Sequence, residues 1–333
     1  MLAEHSLSAG ASHLYKGEMH VLLSGASGFL GSSCVDLLKR FPEIELSVVR
    51  ASRVDCVLPL GSRELVLAEP ADYDALRRLV GTRPPTHIIH VAAVSSTAAC
   101  ERDPQLAYRG NVAFTDSLVR LAAECGAHIV STSTDLVFDG ATPPYDGFSE
   151  DAQPAPVSVY SRSKRAAEQI TLGNSLGCVV RCSLLYGHSL SASRGVLGWI
   201  EDALHAREEL FLFEDEFRTP IHVADAARAL LELSQRQETG VWHCGGPDRM
   251  SRLQFGLTVA ESLGYDPSVI RSARRADMPS LPARPADVSL DSNKLWGLLG
   301  YPPKAVAAAL SSEQGKPNRD WKRPVGTASS NST

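Results

Sequence analysis

A chain of 333 residues that is 44% hydrophobic and 21% charged, with a net charge of −5, has the make-up of a globular protein able to bury one large core or two modest ones. The acidic balance leaves no electrostatic footprint for nucleic acid, and no apolar run reaches the roughly 18 residues that a membrane-spanning helix requires. Seven cysteines, scattered and never spaced as Cys-x-x-Cys, argue against a disulfide frame or a zinc site and for a reducing compartment, so a cytoplasmic location is expected.

Residues 1–18 lack the apolar centre of a secretory signal and the arginines of a mitochondrial one. They are expected to form a disordered tail ahead of a domain beginning at Met19. From residue 19 to 185, short apolar runs alternate with stretches of helical spacing. "HVLLSG", "LSVVR", "HIIHVAA", "HIVSTST" and "CVVRCSLLY" are strand-like, being rich in Val and Ile and bounded by turn residues. Between them "FLGSSCVDLLKRF", "DYDALRRLV", "NVAFTDSLVRLAAECG" and "YSRSKRAAEQITLG" repeat apolar residues at helical intervals, with Gly126 and Gly173 as C-terminal stops. Continuous apolar strands alternating with helices imply a parallel sheet covered on both faces, the doubly wound α/β architecture. Over 186–310 the rhythm loosens. "RGVLGWIEDALHAREEL" and "SRLQFGLTVAESLG", the second capped by Ser251, are helical, and prolines cluster in "MPSLPARPADVSL". This half is expected to be a smaller α+β portion that binds substrate, with some segments returning to the first domain. Residues 311–333 are polar and rich in Pro, Gly and Ser, and are expected to be a second disordered tail.

The stretch "VLLSGASGFLGSSCVDLL" runs strand, glycine loop, helix, with glycines at 25, 28 and 31. Gly25 allows a tight turn, Gly28 lets backbone N–H groups approach a pyrophosphate, and Gly31 lets the helix sit close on the strand, as in the Rossmann domain. An NAD-binding chain of this kind usually has an acid about 20 residues on, at the end of the second strand. Here Arg50, Ser52 and Arg53 stand in that place. Two guanidiniums and a hydroxyl suit a 2′-phosphate, so NADP(H) is the expected cofactor.

"VYSRSK" puts Tyr160 four residues ahead of Lys164. With eight tyrosines in the chain such a spacing arises by chance roughly one time in three, so its weight comes from context. On a helix both residues share a face and can point into the cleft beyond the strand ends. An ammonium at Lys164 is expected to lower the phenol from its ordinary value near ~10. Thr134, at the end of the preceding strand, can hold a carbonyl oxygen beside Tyr160, as hydride transfer requires. Arg218 and Arg284 are candidates for a sugar-diphosphate contact, because a bidentate guanidinium suits phosphate. His222 and Asp225 fit the cap of the helix that follows them. His90 fits a satisfied strand-end residue, and Trp242 with His243 a buried strand. No His, Asp and Glu grouping has the spacing of a metal site, and none is expected.

These features together resemble the extended short-chain dehydrogenase/reductases that act on nucleotide sugars, over roughly residues 19 to 310. The carriers are "GASGFLG", "HVAA", "NV" at Asn111, "STDLVFDG", "PYDGFSE", "YSRSK", "RCSLLYG", "RTPIHVADAARAL", "GGPDRMSR" and "RPADVSLDSNKL". Within that family the set is most similar to the dTDP-4-dehydrorhamnose reductases. The resemblance implies Thr134, Tyr160 and Lys164 as catalytic positions. It implies the glycine loop (with Ser27, Phe29 and Leu30), Arg50 and Arg53 as NADPH contacts, and Ala92, Ala93 and Asn111 as the lining of the dinucleotide groove. It further implies a nucleotide-sugar substrate and reduction of a 4-keto group. The chain departs from the pattern at Val66, where relatives carry an Asp that touches adenine. Leu136 stands where the family's 4,6-dehydratases carry a second acid. "RTPIHVADAA" is nearer to the non-catalytic β regulatory subunit of methionine adenosyltransferase, which also retains Tyr-x-x-x-Lys. An NADP-holding subunit docked on a catalytic enzyme chain, a homodimer and a related epimerase or reductase therefore stand as alternatives.

Overall fold

In the computed structural model, residues 18–50, 58–67, 69–188, 195–278 and 284–313 are described. Seven strands form one parallel sheet: β1 (His20–Ser24), β2 (Glu45–Arg50), β3 (Arg63–Val66), β4 (His87–His90), β5 (His128–Thr134), β6 (Gly177–Cys182) and, much later in the chain, β11 (Gly240–Cys244). Their order is β11-β6-β5-β4-β1-β2-β3, with the reversal of winding between β1 and β4. In such sheets the crevice beyond the strand ends at the reversal is where ligands bind.

Alternation along each strand assigns residues to the two faces. Val21 and Leu23 of β1, Val48 of β2 and Ile89 of β4 join one core cluster with α1 (Phe29–Leu38) and α8 (Val223–Gln235). Leu22, Val49, Ile88 and Ile129 join the opposite one, beneath α2 (Tyr73–Val80) and α5 (Phe114–Cys125). Both faces are thus buried, which is why these strands read as unbroken apolar runs. Each such side chain contributes roughly 1.5–3 kcal/mol by leaving water. The edge strand β3 breaks the pattern. Its "RELV" has one buried residue, Leu65, and Val66 is exposed.

The remaining elements are short strand pairs and helices. β7 (Leu185–Tyr186) pairs with β10 (Ile221–His222), β8 (Leu210–Phe213) with β13 (Ile270–Ala273), and β9 (Phe217–Arg218) with β12 (Met250–Ser251). Helices α7 (Gly195–Ala206), α9 (Arg252–Leu263) and α11 (Val306–Ser311) bury Leu197, Phe255 and Leu310 against β8 in a third cluster. Ser251 caps α9, accepting from the Gln254 N–H, and Gly126 closes α5 in the left-handed conformation at φ 66°. α10 (Asn293–Leu299) lies against β11, carrying the chain back to the main sheet. Among the described residues no helix is long and apolar enough to cross a membrane.

Candidate active site

The turn from β1 into α1 has the geometry of a phosphate cradle. Gly25 has φ +78°, and a Cβ there would stand 2.6 Å from the Ala92 nitrogen. A Cβ at Gly31 would fall 1.9 Å from the Gly25 carbonyl oxygen, so only glycine lets the helix approach the turn this closely. Gly28 is the N-cap of α1. It has no side chain to bond the first-turn N–H groups, and no acid lies in that turn to repel an anion. Of the other expected lining residues, Ser27 and Phe29 are half-buried and Leu30 is buried in the core. Ala92 and the exposed Ala93 follow β4 across from the turn. The residues present therefore fit a dinucleotide's phosphates.

Arg50 ends β2, buried, with its guanidinium 2.7 Å from the Glu64 carboxylate of β3. Ser52 and Arg53 lie outside the described residues. Asn111, expected in the groove lining, is instead buried in a wide π-type turn, Tyr108–Ala113, that runs on from α3 (Thr97–Arg102) and α4 (Pro104–Ala107). Its amide is engaged internally. The oxygen accepts from the Val94 N–H at 2.7 Å, and the nitrogen donates to Ser163 Oγ at 2.9 Å and to the Val94 carbonyl at 3.2 Å. Asn111 thereby ties the loop after β4 to the helix that carries Tyr160.

That helix is α6 (Val159–Leu172). Ser158 caps it, accepting from the Ser161 N–H at 3.1 Å, while Ser161 Oγ accepts from the Ser158 N–H at 3.0 Å. This reciprocal box fixes the helix start, so Tyr160 falls in the first turn and Lys164 one turn later. Both are buried, at 9% and 2% exposure. The Tyr160 phenol stands against the Thr134 hydroxyl, with Asp135, Arg218 and Cys182 as its charged or titratable surroundings. Thr134, at the end of β5, accepts from the Leu136 N–H at 3.2 Å and donates to Asp135 Oδ1 at 3.2 Å. The strand end and the helix start thus bring the three expected catalytic residues to one place.

The electrostatics differ from expectation. Burial raises the Tyr160 phenol well above its ordinary value, opposed by the Thr134 hydrogen bond, and the charges that act most on it are Asp135 and Arg218 rather than Lys164. The phenolate loses hydration on burial, and that loss outweighs its neighbours. Burial also lowers Lys164, from 10.5 to about 8, with Glu168 and Cys182 opposing the shift. At neutral pH Tyr160 keeps its proton and Lys164 is mostly charged.

Beside this group opens a small cleft of ≈ 70 Å³ lined by Leu136, Ser158, Glu216, Arg218, Arg284 and neighbouring residues. Arg218 and Arg284 both line it, and each guanidinium already forks onto an acid. Arg218 forks onto both oxygens of Asp135, which also accepts from Ser183 Oγ at 2.8 Å. Arg284 forks onto Glu216 at 2.5 and 2.9 Å. The reason is the burial of the two acids. Asp135 is fully buried, and burial raises its carboxyl against the pull of Arg218. Glu216 is held below its ordinary value because Arg284 and Arg252 outweigh its burial. Arg252 lies 3.9 Å from Glu216, so these two carboxylates and three guanidiniums leave one positive charge in surplus.

His222 is the N-cap of α8, its Nδ1 accepting from the Ala224 N–H at 3.3 Å. His90 is buried between Ser24 Oγ (2.6 Å) and Thr115 Oγ1 (3.0 Å), and burial lowers it to about 3. Both have the structural roles their positions suggest. Sequence reading misses Glu168, Ser183 and Glu216 as members of the site. One signal is present for the first: Arg181 is a charged residue in the apolar run "CVVRC", and it needs a buried counter-charge.

A seven-stranded parallel sheet with a glycine turn after β1 and a Tyr-x-x-x-Lys helix after β5 is the framework of the extended short-chain dehydrogenase/reductases. Within that class the chain belongs to the family described as RmlD substrate binding domain, which matches residues 19–313. It is 30% identical over 316 residues to dTDP-4-dehydrorhamnose reductase of Mycobacterium tuberculosis (strain CDC 1551 / Oshkosh), covering 91% of this chain and 96% of the relative. It is 28% identical over 281 residues to methionine adenosyltransferase 2 subunit beta of Xenopus laevis, covering 82% and 80%. A crystal structure of dTDP-4-dehydrorhamnose reductase from Bacillus anthracis str. Ames in complex with NADP superposes with a TM-score of 0.74 at 22% identity, covering 89% of this chain and 98% of that one.

Proposed function

We propose that the protein is an NADPH-dependent reductase of a 4-keto nucleotide sugar, of the dTDP-4-dehydrorhamnose reductase kind. The observation that carries this reading is the buried Tyr160 phenol standing against Thr134, with Leu136, Ser158 and Arg218 beside them lining the cleft. Bound at the glycine turn, the dinucleotide supplies the hydride. Thr134 orients the substrate carbonyl, Tyr160 gives its proton to the carbonyl oxygen as that oxygen gains charge, and Lys164 holds the nicotinamide ribose and stabilises the phenolate left behind. Dehydration does not suit the site. Its remaining acid, Asp135, is taken up by Arg218 and Ser183, and Leu136 replaces the second acid. The M. tuberculosis relative and the NADP in the B. anthracis structure support the substrate class and the cofactor. Arg50, with Ser52 and Arg53, is the proposed discriminator for the 2′-phosphate.

The test is to add NADPH and dTDP-4-keto-6-deoxy sugar and follow the loss of absorbance from the reduced nicotinamide. Turnover by the wild type, its near-complete loss in Tyr160→Phe and unchanged NADPH affinity in that variant are expected. The similarity to methionine adenosyltransferase 2 subunit beta favours one second reading, an NADP-holding subunit docked on a catalytic chain. NADPH binding without turnover, together with a stable complex with a methionine adenosyltransferase catalytic chain, would decide for it.

A further inference from the structure

Glu168 lies one turn beyond Lys164 on α6, and its side chain is 1% exposed. Its carboxylate accepts from four donors. Oε1 takes Ser133 Oγ at 2.6 Å and Arg181 Nε at 2.9 Å, while Oε2 takes Arg181 Nη2 at 3.0 Å and Arg165 Nη1 at 2.8 Å. Ser133 is the residue before Thr134 on β5. Arg181, on β6 and 2% exposed, reaches on to His243 Nε2 of β11 at 3.2 Å. His243 Nδ1 faces the carbonyls of Phe148 and Asp291 at 2.9 and 3.2 Å, so that nitrogen carries the ring proton and Nε2 accepts from Arg181. One carboxylate therefore joins α6 to β5 directly and to β6 and β11 through Arg181.

A buried ion pair of this kind is often no more than packing, because its desolvation cost about cancels its attraction. Here the arrangement has a further consequence. Arg181 contacts this carboxylate directly, and a second buried cation, Lys164, sits four residues from it on the same helix face and feels its charge. Lys164 faces Glu168 from its own helix, Cys182 from β6 and His90 from β4. His90 is neutral, so Glu168 is the carboxylate that offsets the Lys164 charge. Burial works against the ionised form of Glu168, but the hydrogen bonds from Arg181, Ser133 and Arg165 keep its carboxyl below the ordinary value.

We propose that Glu168 is a positioning residue of the proton-delivery site: its carboxylate pins the Tyr160–Lys164 helix to the Thr134 strand and holds the buried Lys164 amine in its charged form. This rests on the reading of Tyr160 and Lys164 given above, and it adds a residue that touches neither substrate nor cofactor.

The direct test is the titration of Lys164 in the full chain. The chain has seven lysines. With ¹³C at their Cε atoms, the Lys164 resonance is identified by its disappearance in Lys164→Met. The wild-type midpoint is expected near 8. Glu168→Gln removes the charge but keeps the shape, and should lower the midpoint by about one unit or more. Glu168→Asp keeps the charge and should recover at least half of that shift. In turnover, the alkaline limb of the Glu168→Gln profile should move down in pH by the same amount, so that its activity returns toward wild type as the pH falls. A merely structural role would leave that limb in place. An unchanged Lys164 midpoint in Glu168→Gln overturns the proposal. Should that variant not fold, Glu168→Met with Arg181→Met removes both members of the Glu168–Arg181 pair, so that neither is left buried without the other. Of the two, only Glu168 is among the charges acting on Lys164, so the midpoint must still fall. Absence of turnover in the wild type would remove the reductase reading, and the titration would then decide the role of Glu168 by itself.

Discussion

Replacing Lys164 by Met should make the protein more stable at neutral pH and inactive. The amine is buried and its value falls from 10.5 to about 8. Because the folded-state value is depressed, the cost of protonation is present in full below pH 8, where both folded and unfolded chains bind the proton. It fades as pH rises from 8 to 10.5, and it is gone above that. At ~1.4 kcal/mol per unit the difference amounts to about 3 kcal/mol at pH 7. Methionine keeps the length of the lysine stem without the charge, and Glu168 retains its bonds to Ser133, Arg165 and Arg181. Urea unfolding of both proteins at pH 7, 8, 9 and 10 should show the variant ahead by up to that amount at pH 7. The gap should close with rising pH, with equal m-values. A variant no more stable than wild type at pH 7, or a gap that does not shrink, would show that the buried charge is not under strain. On the proposed reading the strain is the cost of function, since the same cation serves cofactor and phenol.

Asp135→Asn should lower stability by about 3–5 kcal/mol, because it leaves the Arg218 guanidinium buried without its counter-charge. Asp135→Leu combined with Arg218→Met should restore most of that loss, and chemical denaturation of the three proteins checks the cycle. Gly31→Ala places a methyl 1.9 Å from the Gly25 carbonyl oxygen, so the turn must open. NADPH affinity, read by nicotinamide fluorescence, should fall at least tenfold, and an unaltered affinity would refute the cradle. Glu313 bonds His188 at 2.8 Å and His222 at 3.0 Å just beyond α11. Hydrogen bonds to Glu201 and Glu313 raise His188 to about 10. Glu313, despite its burial, is drawn down to about 2 by the two histidines. Docking of α11 should therefore be firmest between pH 4.5 and 6.5, and should weaken as pH rises through 10 or falls through 2. Amide exchange over Val306–Ser311, faster in Glu313→Gln than in wild type at pH 6, is the measurement.

The parts of this structure that are legible in the sequence are those governed by local rules. Val21, Leu22 and Leu23 announce a strand buried on both faces. Gly25, Gly28 and Gly31 announce a turn where a backbone must come close. The four-residue spacing of Tyr160 and Lys164 places them on one helix face whatever surrounds them. What is not legible depends on residues distant in the chain. Arg218 has the look of a ligand contact, but it meets Asp135, 83 residues earlier. Arg284 meets Glu216, 68 residues earlier. Which acid a guanidinium finds is decided by topology, and no spacing reveals it. β3 stays hidden because an edge strand with one buried side chain need not be apolar. The direction of the Tyr160 shift is hidden for a related reason: a neighbouring charge can be read from an i, i+4 pair, whereas desolvation belongs to the whole packed surroundings.

The direction of that shift bears on the chemistry. A phenol lowered toward neutrality is what a general base needs in order to oxidise an alcohol. A phenol raised by burial keeps its proton until a stronger base appears, and the oxygen of a carbonyl receiving hydride becomes such a base as an alkoxide. On the proposed reading, the raised Tyr160 starts the reaction protonated, as a proton donor must, and holds that proton more tightly than an exposed phenol would. On the same reading Lys164, mostly charged below about 8, serves the bound cofactor, while the Thr134 hydrogen bond and the Arg218 charge favour the phenolate that remains. The two opposite shifts follow from one cause, the exclusion of water from a site where α6 is clamped to β5 by Glu168 and to the loop after β4 by Asn111. Loosening that clamp while keeping the Glu168 charge would hydrate both groups and return both toward their ordinary values, Tyr160 downward and Lys164 upward. Opposite movement of the two titrations in a single variant such as Ser133→Ala would trace them to that shared cause, whereas movement of one without the other would separate them.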